Sequence, residues 1–433
     1  MRDDKMPRRR VVITGMGAVT PVGNNVKETW LGLSKGQSGI GYITIFDASS
    51  FPTKIAGEIK NFDFNKWPLQ KGNPKFLGRN SHFALEAVNE AVADSGFEKE
   101  RVERDRIGIY FAAGDGGFDF PQYASIVSES IRENESSVNK ESFIQKSKSR
   151  ISALSLLEKD PCQVVNHLAR VFNVHGIVSN SLTACAASSQ AIGEAMEIIR
   201  RGETELMITG GTHSMIHPLG VAGFNLLTAL STRNDEPQHA SRPFDKERDG
   251  FILSEGSGVL ILEELEHARK RGAKIYAELV GYGVTADAFR MTDPHPEGRG
   301  AIQAMRLALK DADLGTEKID YINAHGTSTQ LNDQIETYSV KEVFKKNSKQ
   351  IPMSSIKSML GHMIAAAGAV ELIASVLTIR EGLIPPTINY ENKDEACDLD
   401  YVPNIARKKE VNAVLSNSFG FGGQNVALIV KKF

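Results

Sequence analysis

Short runs of β-branched and aliphatic residues alternate along the chain with longer stretches whose apolar positions recur at helical spacing, and the two periods mark different elements. The runs at 10–14, 106–112, 206–210, 258–262, 277–283, 321–324, 351–354, 413–418 and 426–431 read as strands. The stretches 80–95, 186–201, 300–312, 334–344 and 365–381 read as helices. This alternation predicts α/β layering with a mostly parallel sheet. Residues 125–152, rich in Ser, Glu, Lys and Arg, predict a surface insertion with helical content.

Two of the helices resemble one another. Residues 186–202 and 366–382 both begin in small side chains, become more apolar, and end in Ile-Arg-x-Gly, with Ile199 and Ile379 180 positions apart. Small residues let a helix lie against close neighbours on several sides, and the terminal glycine supplies a left-handed cap. Any two buried helices share some of this character. Here, however, each follows a strand-like segment and a turn with a reactive side chain: Thr183-Ala184-Cys185 in one, Lys357-Ser358-Met359-Leu360-Gly361-His362 in the other. A duplicated half with two helices back to back explains both.

Composition narrows the class. Of 433 residues, 51 are Lys or Arg and 53 are Asp or Glu, a formal net charge of −2, which gives no electrostatic reason to expect nucleic-acid or membrane-surface binding. No run approaches the roughly 18 apolar residues of a membrane span. Three cysteines, Cys162, Cys185 and Cys397, are too few for a disulfide framework and point to a reducing, cytoplasmic location.

The candidate chemistry lies in the turns. Cys185 sits where a strand-like run (177–182) gives way to an alanine-rich helix, and a helix N-terminus is expected to stabilise a thiolate and lower its pKa. Cys162 and Cys397 lack such a context and read as bland thiols. His325 ends the run 320–324 and opens His325-Gly326-Thr327-Ser328-Thr329, so imidazole and hydroxyls face the crevice at the carboxyl ends of the strands. His362 adjoins a glycine at the mouth of the second buried helix. Singly, each histidine reads as structural; three strand-to-helix turns bearing Cys, His and His point to covalent catalysis. Zinc is a weaker reading, because these residues lack paired metal-ligand spacings. A Cys-His hydrolase leaves the second histidine and Lys357 without a role. The glycine-rich 417–423 (Asn-Ser-Phe-Gly-Phe-Gly-Gly) lets backbone N–H groups approach a ligand closely, as an oxyanion hole or gate.

With these motifs, together with 230–235 (LSTRND), 241–245 (SRPFD) and 385–389 (PPTIN), the sequence resembles the β-ketoacyl-acyl-carrier-protein synthases, most of all the type II elongating enzymes of bacterial fatty acid synthesis. The resemblance implies the thiolase fold, an α/β duplication in five layers, αβαβα, with two mixed sheets around buried helices. It implies halves at 1–272, with a longer polar insertion near 114–166, and 273–433, forming one unit. It also implies a homodimer, a heterodimer with a second synthase-like subunit being the variant, and acyl carrier protein as partner. No cofactor or metal is implied, since the substrates carry their own phosphopantetheine. By the same resemblance Cys185 takes the acyl chain as a thioester. His325 and His362 bind the malonyl thioester carbonyl, and Lys357 with Glu336 orients and supports them. Thr327 and Thr329 hold the pantetheine arm. The backbone N–H groups of Cys185 and Phe421 form an oxyanion hole with the Phe421 side chain as gate, and Asp287 and Thr292 belong to a second mobile loop beside it.

Three departures from the family pattern stand out. The 114–166 segment is long and polar, with Ser152-Ala153-Leu154-Ser155-Leu156-Leu157 where a Pro-Phe-Phe stretch is usual. Asp115 takes the place of an apolar residue lining the acyl pocket, where a carboxylate is costly to bury beside an alkyl chain unless paired. Thr228 replaces an often basic residue that meets the acidic carrier protein. Two other functions remain open: a noncatalytic partner subunit, which would lack the nucleophile, and a coenzyme A thiolase, which would carry a second cysteine near the C-terminal glycine loop.

Overall fold

Alternation at period two decides how the strands are buried. The computed structural model describes residues 8–67, 77–99, 102–114, 119–132 and 137–433. Its main sheet has ten strands: β1 Val11–Val19, β2 Ile107–Ala113, β3 Val178–Ser181, β4 Leu206–His213, β5 Gly256–Glu264, β6 Ala277–Ala286, β7 Tyr321–Asn323, β8 Met353–Ser354, β9 Ala413–Gly420 and β10 Gln424–Lys431. Their spatial order is β8-β7-β9-β10-β6-β1-β5-β4-β2-β3. Read outward from β1, the first half runs β1-β5-β4-β2-β3. Read outward from β6, the second runs β6-β10-β9-β7-β8, the same order shifted by five strands. The duplication inferred from two helices thus extends to the whole sheet. The two five-stranded sheets meet at one corner, where Val11, Val12 and Ile13 pair with Leu279, Glu278 and Ala277.

The expectation of a mostly parallel sheet is corrected. β2 pairs in parallel with β3 and β4, and β7 with β8 and β9, but β5 is antiparallel to β1 and β4, and β10 to β6 and β9. The cause is local in the second half: β9 and β10 are joined by the 421–423 turn, too short for the crossover that a parallel pair needs.

The principal helices are α1 Arg79–Ser95, α2 Ala187–Arg200, α3 Arg299–Ala312, α4 Gln330–Phe344 and α5 Ala367–Glu381. Odd and even strand positions go to different layers. Leu206, Ile208, Val259 and Ile261 meet Phe83, Leu85 and Val88 of α1 on one outer face. Met207, Leu260, Leu262, Val414 and Leu428 face the centre with Ile192 and Met196 of α2 and Leu372 and Val376 of α5. Leu415, Ala427 and Ile429 meet Met305 of α3 and Val340 of α4 on the opposite outer face. These are the five layers αβαβα.

The central helices approach closely, as their small residues predict. A Cβ at Gly368 would fall 2.0 Å from Ser189 Oγ, and the Ala369 N–H donates to Ser188 Oγ at 3.0 Å. Both helix-ending glycines have positive φ, 77° at Gly202 and 61° at Gly382. The polar insertion carries helices Phe120–Ser128, Lys140–Arg150, Ala153–Leu157 and Cys162–Val171 between β2 and β3. Its Arg150 and Glu129 form an exposed bidentate ion pair. Among the described residues, no helix is long and apolar enough to cross a membrane.

Candidate active site

The turns that follow β3, β7 and β8, together with the β9–β10 turn, converge on one cavity of about 280 Å³ lined by Cys185, His325, His362, Thr327, Thr329 and Phe421, with Asp287 and Thr292 at its edge. Every site residue singled out from the sequence lines it except Lys357 and Glu336, which lie beneath, and Asp115, which falls outside the described residues.

Cys185 is buried in the short 3-10 turn Ala184–Ala186 that leads into α2. The β9–β10 turn comes so close that a Cβ at Gly420 would meet Thr183 O at 2.9 Å and Cys185 N at 3.3 Å, so glycine is required there. The backbone N–H groups of Phe421 and Cys185 both point at the thiol and favour its anion, as does the charge of Lys357, yet burial outweighs them and pushes the pKa up to about 11. The expectation of a lowered pKa is therefore corrected. The helix terminus acts as expected, but desolvation of the charged form is larger.

The two histidines have assigned tautomers. The His362 Nδ1 accepts the Ile364 N–H at 3.3 Å, which leaves the proton on Nε2, and that atom is buried with no partner. The His325 Nδ1 faces the Lys357 ammonium at 3.4 Å, so it too is the acceptor and its Nε2 carries the proton. The rings lie 5.4 Å apart, edge to face. Burial first, and then the positive charge of Lys357, hold both well below the usual imidazole range. Both are neutral N–H donors.

Below them, Lys357 and Glu336 hold different parts of the histidine turn. Lys357 Nζ forms its ion pair with Glu371 of α5 and donates to the His325 carbonyl at 2.7 Å. Glu336 instead accepts the His325 and Gly326 N–H groups at 2.9 and 2.7 Å and the Asn417 amide at 3.1 Å. It fixes the backbone of the histidine turn and not the lysine, because α4 passes behind the turn while α5 begins beside it. Glu371 was not singled out from the sequence. Its signal was there: a lone carboxylate in the apolar run 364–379 needs a buried cation.

The 241–249 segment secures the same turn. Arg242 N–H donates to Ser328 Oγ at 3.0 Å, and Phe244 N–H to Asp333 Oδ2 at 2.8 Å. Asp333 also accepts the Thr327 N–H at 3.1 Å. The fully buried Arg248 donates to the carbonyls of Thr329 and Gln330, each at 3.1 Å, and to Asp394 at 2.7 Å. Thr327 and Thr329 hydroxyls lie 2.9 Å apart. Asp287 ties the β9–β10 turn to the loop after β6: its N–H donates to the Gly423 carbonyl at 2.8 Å, and its carboxylate accepts from Asn425 at 2.9 Å and from the His295 N–H at 3.0 Å. Thr292 is exposed at the opening, and so is Thr228.

Among the described residues no cluster of three His, Cys, Asp or Glu side chains could hold a metal ion. Asn323 Oδ1 and Ser416 Oγ, on neighbouring β7 and β9, and Glu371 Oε2 and Asn417 Oδ1 are buried without a partner. The site is otherwise a buried nucleophile with two opposed N–H donors, a set suited to acyl transfer and to stabilising oxygen charge.

Comparison with known proteins agrees with this chemistry. The family models for the N-terminal and C-terminal domains of β-ketoacyl synthase match residues 8–268 and 276–391. The chain belongs to the β-ketoacyl synthase family. It is 44% identical to a 3-oxoacyl-acyl-carrier-protein synthase 2 of Synechocystis and 42% identical to that of Coxiella burnetii, each over 99% of both chains. Among solved structures, a type II polyketide ketosynthase in complex with its acyl carrier protein superposes with a TM-score of 0.86 at 34% identity, over 99% of this chain and 100% of that one. A β-ketoacyl synthase from Burkholderia phymatum gives 0.86 at 35%, over 98% of this chain and all of that one. The chain is thus an acyltransferase of the condensing type, with the thiolase fold of its ketosynthase neighbours. The synthase family uses no cofactor beyond the arm its substrates bring.

Proposed function

We propose that the chain joins an acyl group held on Cys185 to malonyl-acyl carrier protein, in fatty acid biosynthesis or a related specialised acyl or polyketide pathway. The observation that carries this reading is the pair of neutral imidazoles whose Nε2 protons serve the same cavity as the thiol.

In the first step the Cys185 sulfur attacks the thioester carbonyl of an acyl carrier protein. The developing oxyanion lies between the Cys185 and Phe421 N–H groups, the bond to the pantetheine sulfur breaks, and that sulfur leaves with the thiol proton. Malonyl-acyl carrier protein then enters with its arm along Thr327 and Thr329. Its thioester oxygen accepts from His325 and His362, so that loss of CO2 leaves the electron pair in a stabilised enolate. The enolate carbon attacks the Cys185 thioester, the carbon–sulfur bond breaks, and the β-ketoacyl product departs on the carrier protein. The imidazoles act where charge develops, which lowers the barrier more than it strengthens binding. Lys357 with Glu371 keeps His325 in the donating tautomer, and Glu336 holds the turn that carries it.

The working unit comprises the halves 1–272 and 273–433, and it acts in the cytoplasm. A homodimer is supported by β3, which ends the sheet with one edge unpaired among the described residues and with Val178 on the strand and Leu182 just past it exposed; a heterodimer with a synthase-like subunit would use the same edge. Incubation with a hexanoyl-loaded acyl carrier protein is expected to add one acyl mass at Cys185, and none in Cys185→Ala. Absence of the adduct where a control synthase acquires it would refute the reading and favour a noncatalytic subunit. His325→Ala and His362→Ala should each impair malonyl decarboxylation.

A further inference from the structure

Away from Cys185 the molecule has a second cavity, an open groove of about 490 Å³ at the far end of α5. Glu371, which pairs with Lys357, and Arg380, on the wall of the groove, both belong to α5 and lie roughly 14 Å apart along its axis at 1.5 Å per residue. The helix stops at Gly382, and the antiparallel pair Leu383–Ile384 and Arg407–Lys408 follows beside it. Four cations line the groove, Arg380, Lys408, Lys409 and Lys432, with two acids, Glu381 and Glu410. Ile379 and Val411 are the only apolar side chains among its described lining residues.

Ion pairing does not account for this gathering of charge. Among the described residues Arg380 and Lys408 have no carboxylate partner, and Arg380 lies over the Tyr276 ring at 4.7 Å. The Lys432 ammonium stands 3.8 Å from Glu410, too far for a hydrogen bond. The Lys409 ammonium donates to the Asp320 carbonyl at 2.7 Å, and burial lowers its pKa. It is a charge taken partly out of water with a neutral group for its contact. The carbonyl end of α5 opposes an anion with only about half a charge, and its Thr378 and Gly382 carbonyls are already taken by the Gly382 and Lys409 N–H groups.

We propose that this groove is a second binding site, for an anion that carries two or more phosphate groups. Arg380, Lys408 and Lys432 meet it from α5, from the 407–408 strand and from the segment after β10, while Lys409, anchored on Asp320, supplies a fixed charge. Cations on separate segments suit a ligand whose own charge is spread over several groups, and guanidinium and ammonium donors form charge-assisted hydrogen bonds to phosphate oxygens. The groove has the size of a small-molecule site, and two apolar side chains give no seat for an alkyl chain. A free polyphosphate and the triphosphate of a nucleotide share this chemistry.

The test is calorimetric titration of the full chain at about 50 mM salt, where screening leaves the groove's charges effective, with sodium tripolyphosphate and, separately, with magnesium-free ATP. One site per chain is expected. Arg380→Ala with Lys408→Ala should weaken binding at least about tenfold, the loss of one or two charge-assisted hydrogen bonds. Lys345→Ala with Lys346→Ala removes two exposed lysines elsewhere and should leave affinity within about twofold. Tripolyphosphate binding as tightly as ATP, or more so, assigns the site to the phosphate chain alone; tighter ATP assigns it to a nucleotide. The absence of saturable binding at millimolar probe, several equivalent sites per chain, or equal losses in the two double variants would overturn the proposal.

Discussion

The resting state of Cys185 gives a prediction that runs against its position. A thiol at a helix N-terminus is ordinarily acidified, but here burial raises it to about 11. At pH 7 that leaves about one molecule in ten thousand as thiolate, against a few per cent for a free cysteine with a pKa of about 8.5. Alkylation of Cys185 by iodoacetamide, measured in Cys162→Ser protein to remove the exposed thiol, should therefore proceed at least a hundredfold more slowly at pH 7 than for a model thiol, an order-of-magnitude figure from the same difference. Its rate should climb about tenfold per pH unit from roughly 7 to 10 without levelling, while the model thiol levels above about 9. Lys357→Met, which removes a charge that favours the anion, should slow the reaction further at pH 8. A plateau below pH 8, or a faster reaction in the lysine variant, would refute the argument that desolvation outweighs the helix terminus and the two N–H donors. The mechanistic consequence is that acyl transfer draws on charge stabilisation as the sulfur reacts, not on a standing thiolate.

Three further outcomes follow from buried charge. Glu371→Gln leaves the Lys357 ammonium buried without its anion and should cost about 3–5 kcal/mol in denaturant unfolding, while Lys357→Met combined with Glu371→Leu should cost less than the sum of the single changes; additive losses would contradict the pairing. Arg248→Lys cannot reproduce both carbonyl contacts, to Thr329 and Gln330, that hold the 327–330 turn, so KM for malonyl-acyl carrier protein should rise about tenfold with a smaller change in kcat; an unaltered KM would show that the turn stands without it. Glu90, half-buried against β1 and raised to about 7 mainly by desolvation, favours the fold when protonated. Its contribution is full below about 4.5 and is lost as pH rises through about 7, a slope of up to about 1.4 kcal/mol per pH unit. Unfolding of Glu90→Gln should lack this component, and an identical pH profile would refute it.

Much of this architecture was legible in the sequence because it depends on local period. The alternation at 206–210 and 258–262 marked β4 and β5, and the small-residue helices 186–202 and 366–382 announced both the duplication and the close approach of Gly368 to Ser189. The three turns bearing Cys185, His325 and His362 were each visible at a strand end. Strand direction was not, since antiparallel β5 carries the same pattern as a parallel neighbour. The ion-pair partner of Lys357 was not legible, because Glu336 and Glu371 are both helical acids and only the packing of α5 brings Glu371 to the ammonium. The thiol pKa was misjudged because a helix terminus is a local property and desolvation is not. The exposed leucines at 226 and 227 look like core residues until the helix Pro218–Leu226 is seen to turn them outward.

The central claim is condensation at Cys185, and the most direct measurement loads the protein with a hexanoyl group, removes free donor, and adds malonyl-acyl carrier protein. The account predicts loss of the acyl mass from Cys185 in step with release of CO2 and appearance of a β-ketoacyl-acyl carrier protein two carbons longer than the acyl group supplied. An acyl-enzyme that persists in the presence of malonyl-acyl carrier protein, or that releases only the free hexanoic acid, would contradict it.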